Sequence, residues 1–350
     1  MKKTLLAAAL MAGFAGIAHA ETSVTLYGII DGGIGYDRVK YDNGDKATRT
    51  GLIDGIQYGN RWGLKGSEDL GNGLRANFVL ESGFSLATGH QAQNGRLFGR
   101  QATLGLAGDS WGQLDFGRQT NISSKYYMDV HGNAWGSTGS GVAFSSTDTV
   151  RLDNMVMYQT PNFSGFQAGV GYSFNANGAQ DPKWSNLSDT NNKALTVGAR
   201  YKNGPIGAAL TYENFRAVDI ANVGRMKNQS AWNLSGSYDF EVVAVSLAFG
   251  QEYDGQYGSF YSKNFDSNNY AVSLAAPIGA GKLSGGYSLS QPRKEAKDAG
   301  LVKQHAFSLA YVHPLSKRTD VYATAGYVKN LDNIDGDKRT LAGVGLTHRF

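Results

Sequence analysis

The chain has no cysteine, which removes disulfide frameworks and thiolate metal sites from consideration. It also suits a protein that crosses an oxidising compartment unfolded, with nothing to cross-link on the way. A dominant charge is missing as well. Lys and Arg total 33 against 29 Asp and Glu, too even a balance for the concentrated basic face that phosphate backbones require, so nucleic acid is excluded as the main partner. Beyond the first twenty residues no stretch approaches the ~18 uncharged apolar residues of a spanning helix. That excludes an α-helical membrane protein and leaves a β-barrel untouched, because only alternate strand residues face lipid. The 6 histidines stand singly, with no His-Glu-x-x-His zinc motif and no Gly-x-Ser-x-Gly elbow, so the chain reads as no enzyme. Gly279-Ala280-Gly281-Lys282 lacks the first glycine and the following Ser/Thr of a phosphate loop and reads as a turn. Asp42, Asp45, Asp332, Asp335 and Asp337 fall in loops without the spacing of a calcium-binding loop. No cofactor and no metal site is expected.

Present are 47 glycines, 19 tyrosines and 16 phenylalanines beside 6 prolines, at a mean hydropathy of −0.33. The N-terminus carries Lys2 and Lys3, an apolar run from Leu5 to Ala18, and Ala18-His19-Ala20 before Glu21, the pattern of a cleaved secretory signal peptide over 1–20. Residues 21–350 then form one domain, since no linker interrupts them.

From residue 23 onward, segments of about ten residues alternate in character. At 282–290, Leu283, Gly285, Tyr287 and Leu289 oppose Lys282, Ser284, Gly286, Ser288 and Ser290. The final segment sets Ala342, Val344, Leu346, His348 and Phe350 against Leu341, Gly343, Gly345, Thr347 and Arg349. One face is apolar, the other small and polar, which suits a barrel with lipid outside and water inside better than a sandwich packing two apolar faces. Short Gly-, Asn-, Asp- and Pro-bearing connections, such as 68–73, 108–112 and 277–281, alternate with long polar loops, such as 37–60, 119–149 and 252–268. The fold class is therefore all-β, a transmembrane antiparallel β-barrel. Sixteen strands are expected, beginning near residues 23, 61, 74, 96, 112, 150, 166, 194, 206, 230, 242, 269, 282, 304, 319 and 338. About sixteen strands leave an aqueous channel. Aromatic residues near segment ends (Tyr27, Phe84, Phe98, Phe116, Tyr158, Phe174, Tyr201, Phe240, Phe249, Tyr311 and Phe350) suggest interfacial girdles.

Several segments in order, NRWGLKGSEDLGNGLRANFVLESGF at 60–84, GRLFGRQATLGLAGDSWGQLDFGRQ at 95–119, NMVMYQTPNFSGFQAGVGYSF at 154–174 and GVGLTHRF at 343–350, resemble the trimeric general porins of Gram-negative outer membranes, in particular the β-proteobacterial type. The resemblance implies a homotrimer, a third loop (119–149) folded into the lumen as a constriction, and a terminal Phe350 read by the outer-membrane assembly machinery. Implied partners are outer-membrane lipid including lipopolysaccharide, and the small hydrophilic solutes and ions that diffuse through. A substrate-specific channel on the same fold is the alternative reading, and a soluble or surface β-protein a more distant one.

A pore selects by size and by fixed charge at its narrowest point. Alternation turns Arg61 and Lys65 away from Trp62 and Leu64, Arg75 and Glu81 away from Phe78 and Leu80, and Arg151 away from Val156. The resemblance adds Arg100 and Arg118 on the wall, facing third-loop acids for which Asp129 and Asp148 are the candidates. Arg100 and Arg118 share the parity of Leu104 and Phe116, the lipid side, and reach the lumen only if a strand end or bulge re-aims them. The excess of basic groups predicts mild anion preference.

Overall fold

Strand after strand is built from alternating residues whose apolar partners point away from the interior. The computed structural model describes residues 23–132, 139–144, 147, 150–180, 191–216, 219–220, 224–225, 228–255 and 265–350. Residues 1–20, expected to be a signal peptide, lie outside this range. In chain order the strands are β1 (Ser23–Lys40), β2 (Lys46–Asp54), β3 (Arg61–Gly71), β4 (Leu74–Gly83), β5 (Gln101–Gly108), β6 (Gly112–Thr120), β7 (Arg151–Gln159), β8 (Phe166–Ser173), β9 (Ala194–Asn203) and β10 (Ile206–Phe215). They continue as β11 (Asp219–Ile220), β12 (Gly224–Arg225), β13 (Gln229–Asp239), β14 (Ala244–Gly255), β15 (Phe265–Ile278), β16 (Gly281–Arg293), β17 (Gln304–Pro314), β18 (Thr319–Lys329) and β19 (Lys338–Arg349). Sixteen of these close an antiparallel barrel; β11 and β12 pair only with each other, and β2 is an addition to the wall.

Many large apolar side chains are exposed. Ile34 is 68 % exposed, Leu104 64 % and Val344 59 %, while Asp31, Gln119, Glu213 and Thr347 are fully buried. This reverses the distribution of a water-soluble core and is what lipid outside and polar groups inside require. Phe116, Phe174, Tyr201, Phe240 and Phe350 are exposed on the outside. Tyr27 is not a girdle residue: its hydroxyl donates to Glu81 Oε2 at 3.0 Å, which places it in the lumen.

Closure falls on β1. Along one edge its residues Ile29–Lys40 pair with β19; along the other, Ser23–Ile29 pair with β3 and Gly32–Lys40 with β2. The region 37–60, expected as loop, thus carries the end of β1 and all of β2. The hairpin supplies partners where β3 has left, because an unpaired edge would strand N–H and C=O groups. At the fork sits Asp31. Its N–H donates to Asn60 Oδ1 at 2.5 Å, and its carboxylate accepts from Tyr322 Oη at 3.0 Å, Thr347 Oγ1 at 2.5 Å and the Gln57 N–H at 3.2 Å. These bonds tie the returning loop to β18 and β19 across the seam. The strand expected near 96 begins at Gln101; just before it Arg100 donates its N–H to the Glu81 carbonyl at 3.1 Å, and the side chains of Arg96 and Arg100 reach carboxylates.

Phe350 completes the seam: Gly28 N–H donates to its carbonyl at 3.1 Å, and its own N–H donates to the Gly28 carbonyl at 3.2 Å. Its ring covers Gly28. A Cβ at position 28 would lie 2.4 Å from the ring and 2.7 Å from the Arg61 carbonyl, and the latter, being backbone, has little freedom to move. Gly28→Val is therefore expected to cost about 1–3 kcal/mol by overpacking. The readout is the temperature at which the folded form converts to the unfolded band in gel electrophoresis. It should fall, whereas an unchanged temperature contradicts this role for Gly28.

Candidate functional site

The long connection between β6 and β7 opens with an α-helix, α1 (Ile122–His131), held inside the barrel. Ile122, Tyr126 and Val130 recur every fourth residue and form one apolar stripe. They bury against Met155, Met157, Ala194 and Ala209 of the wall. Three such side chains contribute about 1.5–3 kcal/mol each, which offsets the cost of ordering the segment. Asn121 caps the helix, accepting from the Ser124 N–H at 2.9 Å and donating through Nδ2 to Glu213 Oε1. Thr196 Oγ1 accepts from the Ile122 N–H at 3.0 Å and donates to the same Glu213 oxygen at 3.0 Å. At the far end Asp129 pairs with Arg200 and with Lys202, the latter at 3.0 Å. Gly132, at φ +70°, ends the helix.

The returning arm is fastened further round the wall. Tyr127 stacks on Phe144 at 5.2 Å over Ala248 and Ala271. Ser288 Oγ donates to the Gly139 carbonyl at 3.1 Å, and Gln304 Nε2 to the Val142 carbonyl at 3.0 Å. The loop therefore lines the arc from β9 to β17. Beneath it a cavity of about 770 Å³ opens toward the rim of short turns, lined by His131, Lys202, Ser273 and Arg349 among others.

The remaining arc, from β3 to β7, carries guanidinium groups. Arg100 Nε donates to Glu81 Oε1 at 2.6 Å. Arg96 and Arg118 both donate to Asp153, at 2.8 and 2.7 Å. Arg61 donates to the Gly59 carbonyl at 2.9 Å and lies in the electrostatic range of Arg100 and Glu81. Arg151 lies in that of Arg100, Glu81, Arg61 and Arg118. The structure thus brings Arg61, Arg100, Arg118, Arg151 and Glu81 together.

The two doubtful arginines arrive by the two routes that strand geometry allows. Arg100 precedes the first residue of β5 and escapes its alternation. Arg118 keeps Ala102 of β5 as its partner but stands opposite a bulge of β7, where Asp153 and Asn154 face this one residue and its guanidinium reaches Asp153; Gly117 beside it adopts φ +116°.

Other candidates lie elsewhere. Lys65 faces the lumen with its ammonium 5.3 Å from the Tyr27 ring centre. Being four residues from Arg61 it stands about 13 Å further along the strand. Arg75 shares the face of Glu81 but sits at the short-turn rim, paired with Asp109 at 2.8 Å, and takes no part in the cluster. Asp129 does not face the arginines across the pore, because Arg200 and Lys202 neutralise it. Asp148 lies outside the described residues. Arg96 and Asp153 also join the site. Asp153 shares strand parity with Arg151, but Arg96 belongs to a loop, where alternation carries no information.

A closed barrel with a loop docked across its lumen opposite a row of arginines fits one family, whose profile, described as Gram-negative porin, matches residues 7–333. The chain belongs to the Gram-negative porins. The porin is 47% identical over 388 residues to an outer membrane porin protein of Bordetella pertussis, and 31% identical over 378 residues to outer membrane porin protein 32 of Delftia acidovorans, with 100% of each chain covered in both cases. Among solved structures it is similar to an anion-selective porin from Comamonas acidovorans, with a TM-score of 0.72 and 27% identity over 94% of this chain and 100% of that one. It is a multi-pass β-barrel of the outer membrane, and small hydrophilic solutes and ions diffuse through its water-filled channel.

One group on the docked loop titrates in an accessible range. His131 is buried at the end of α1 with Nε2 3.3 Å from Ser273 Oγ, and burial lowers its pKa from 6.5 to about 4. The docked state thus binds fewer protons than the released one between those values, and docking weakens as pH falls from about 6.5 to about 4. The full effect is on the order of 3 kcal/mol. With the intrinsic pH dependence of amide exchange divided out, the protection of the α1 amides should fall over this window in the native porin and stay flat in His131→Gln. Equal profiles in the two proteins contradict this role for His131.

Proposed function

We propose that the porin is a general diffusion channel with mild anion preference, set where the docked third loop faces the arginine wall. The observation that carries this reading is the local imbalance of charge: among the described residues Arg61, Arg96, Arg100 and Arg118 share two carboxylates, Glu81 and Asp153. Guanidinium groups stay protonated at any physiological pH, so the excess is permanent. A narrow aqueous passage between low-dielectric walls focuses such a field and enriches the counter-ion. Among the described residues the loop returns no free acid to cancel it. The Comamonas acidovorans structure described as anion-selective, over the same barrel, supports the same sign.

The wider assembly follows the family. The leader 1–20 is removed on export, leaving 21–350 as the barrel domain. Phe350, exposed on the outside of the seam, is available to the assembly machinery before closure. Three copies form the homotrimer, and outer-leaflet lipid, including lipopolysaccharide, surrounds it. No step of covalent chemistry is required of any residue.

The porin with Arg61→Ala and Arg151→Ala together should retain stepwise conductance in a planar bilayer while its anion-to-cation permeability ratio falls severalfold toward unity. Arg75→Ala, at the inner rim, serves as the comparison and should leave the ratio near that of the native protein. An unchanged ratio in the double variant contradicts the assignment of the constriction.

A further inference from the structure

One register row of the wall runs through Tyr27 of β1, Gly63 of β3, Glu81 of β4 and Gln101 of β5. Residues of such a row project to the same side, and here that side is the lumen. Tyr27 and Glu81 stand two strands apart, with about 10 Å between their backbones. The tyrosine spans that interval because the position between them has no side chain. A Cβ on Gly63 would lie 2.8 Å from Tyr27 Cζ and 2.9 Å from its hydroxyl oxygen, so the ring lies across the bare backbone of β3. From the next lumen-facing position of β3 the Lys65 ammonium stands 5.3 Å from the ring centre and holds the ring there by a cation–π contact. The hydroxyl thereby donates to Glu81 Oε2 at 3.0 Å.

That hydrogen bond decides which arginines Glu81 serves. Its other oxygen, Oε1, accepts from Arg100 Nε at 2.6 Å, so both oxygens are engaged. Arg61 donates instead to the Gly59 carbonyl at 2.9 Å. Among the described residues no carboxylate lies within ion-pairing distance of Arg61, although Glu81 lies in its electrostatic range. Arg61 stands opposite Gly83 of β4, which makes Glu81 its diagonal neighbour. Diagonal positions are about 7–8 Å apart, a gap that long side chains bridge. Without the phenol, Oε2 would be free to turn to Arg61 and tie Arg61 and Arg100 to one acid. Asp153, the other carboxylate of the cluster, is already taken by Arg96 and Arg118.

We propose that Tyr27 is a positioning residue for ion selection: it keeps the second oxygen of Glu81 away from Arg61 and so leaves one guanidinium unpaired at the constriction. The inference rests on the reading that the arginine wall sets the anion preference. A neutral phenol suits the task, because it occupies the acid without bringing a charge of its own to the passage. A hydrogen bond to an ionised acceptor shifts the balance between two side-chain placements by about tenfold or more, enough for the arrangement with Arg61 open to dominate. Gly63 and Lys65 act through Tyr27, one by leaving room for its ring and the other by holding the ring in that room.

The test is the anion-to-cation permeability ratio of the full-length porin in a planar bilayer, measured for the native protein, Tyr27→Phe, Glu81→Gln and the two changes together. Phenylalanine keeps the ring over Gly63 and beside Lys65 and removes only the hydroxyl. Tyr27→Phe should lower the ratio about twofold or more toward unity, and Glu81→Gln should raise it. Adding Tyr27→Phe to Glu81→Gln should change nothing further, because the phenol acts only through the acid. A crystal structure of Tyr27→Phe should show Glu81 Oε2 bonded to Arg61. A native ratio in Tyr27→Phe overturns the proposal, as does an Oε2 that stays away from Arg61 in that structure. An equal fall with and without the Glu81 carboxylate overturns it too, since that marks a role in packing alone. A native porin without anion preference removes the constriction reading and this inference with it, whereas a native preference that survives Tyr27→Phe undiminished removes this inference alone.

Discussion

In hydrocarbon a backbone N–H or C=O has no water to turn to, and each one left unpaired costs several kcal/mol. The rest of the structure depends on that constraint. A sheet meets it only by closing on itself, so β19 returns to β1 and the last residue exchanges two hydrogen bonds with Gly28. Where β3 diverges from β1, the hairpin strand β2 takes over the open edge and Asp31 binds the gap between them. Closure fixes strand parity, and parity decides which side chains meet lipid and which meet water.

A barrel whose apolar groups face outward has no interior core to hold its loops. The third loop has to bring its own, and it does so twice: the stripe of Ile122, Tyr126 and Val130 against β7, β9 and β10, and the Tyr127–Phe144 stack against β14 and β15. Polar fastenings at Glu213, Thr196, Asp129, Ser288 and Gln304 fix its path between them. Once the loop is pinned along that arc, the open water is confined to the side where the arginines stand. Glu81 and Asp153 keep these guanidinium groups in place and lower their mutual repulsion, but do not cancel them. Selectivity then follows from which charges are left over, and not from a binding pocket.

Much of the barrel is legible in the sequence because period-2 alternation is a direct image of lipid on one side and water on the other. Strand starts at 61, 74, 112, 166, 194, 206, 304, 319 and 338 coincide with those of the structure. What alternation cannot convey is where it is broken. Arg118 reads as lipid-facing until the bulge of β7 opposite it is seen, and Arg100 until β5 is seen to begin one residue later. Tyr27 looks like a girdle residue by its place near a strand end, yet its hydroxyl is taken by a carboxylate that is distant in sequence. Within the third loop a signal was there to be found. Asn121 followed by apolar residues at 122, 126 and 130 is a capped amphipathic helix, masked by the glycine- and serine-rich residues around it. Arg75 is a candidate by charge and strand face, Asp129 by charge and its place in the third loop. Their partners, Asp109 in one case and Arg200 with Lys202 in the other, come from other strands and turns, and only tertiary structure reveals them.

Charge left unbalanced opposite the docked loop governs passage through the pore. The measurement that tests it most directly is the reversal potential of the unmodified porin in a planar bilayer across a gradient of potassium chloride. Open stepwise conductance is expected, with a reversal potential of the sign that marks chloride as the more permeant ion. A potential of the opposite sign from a well-folded, conducting porin would contradict it.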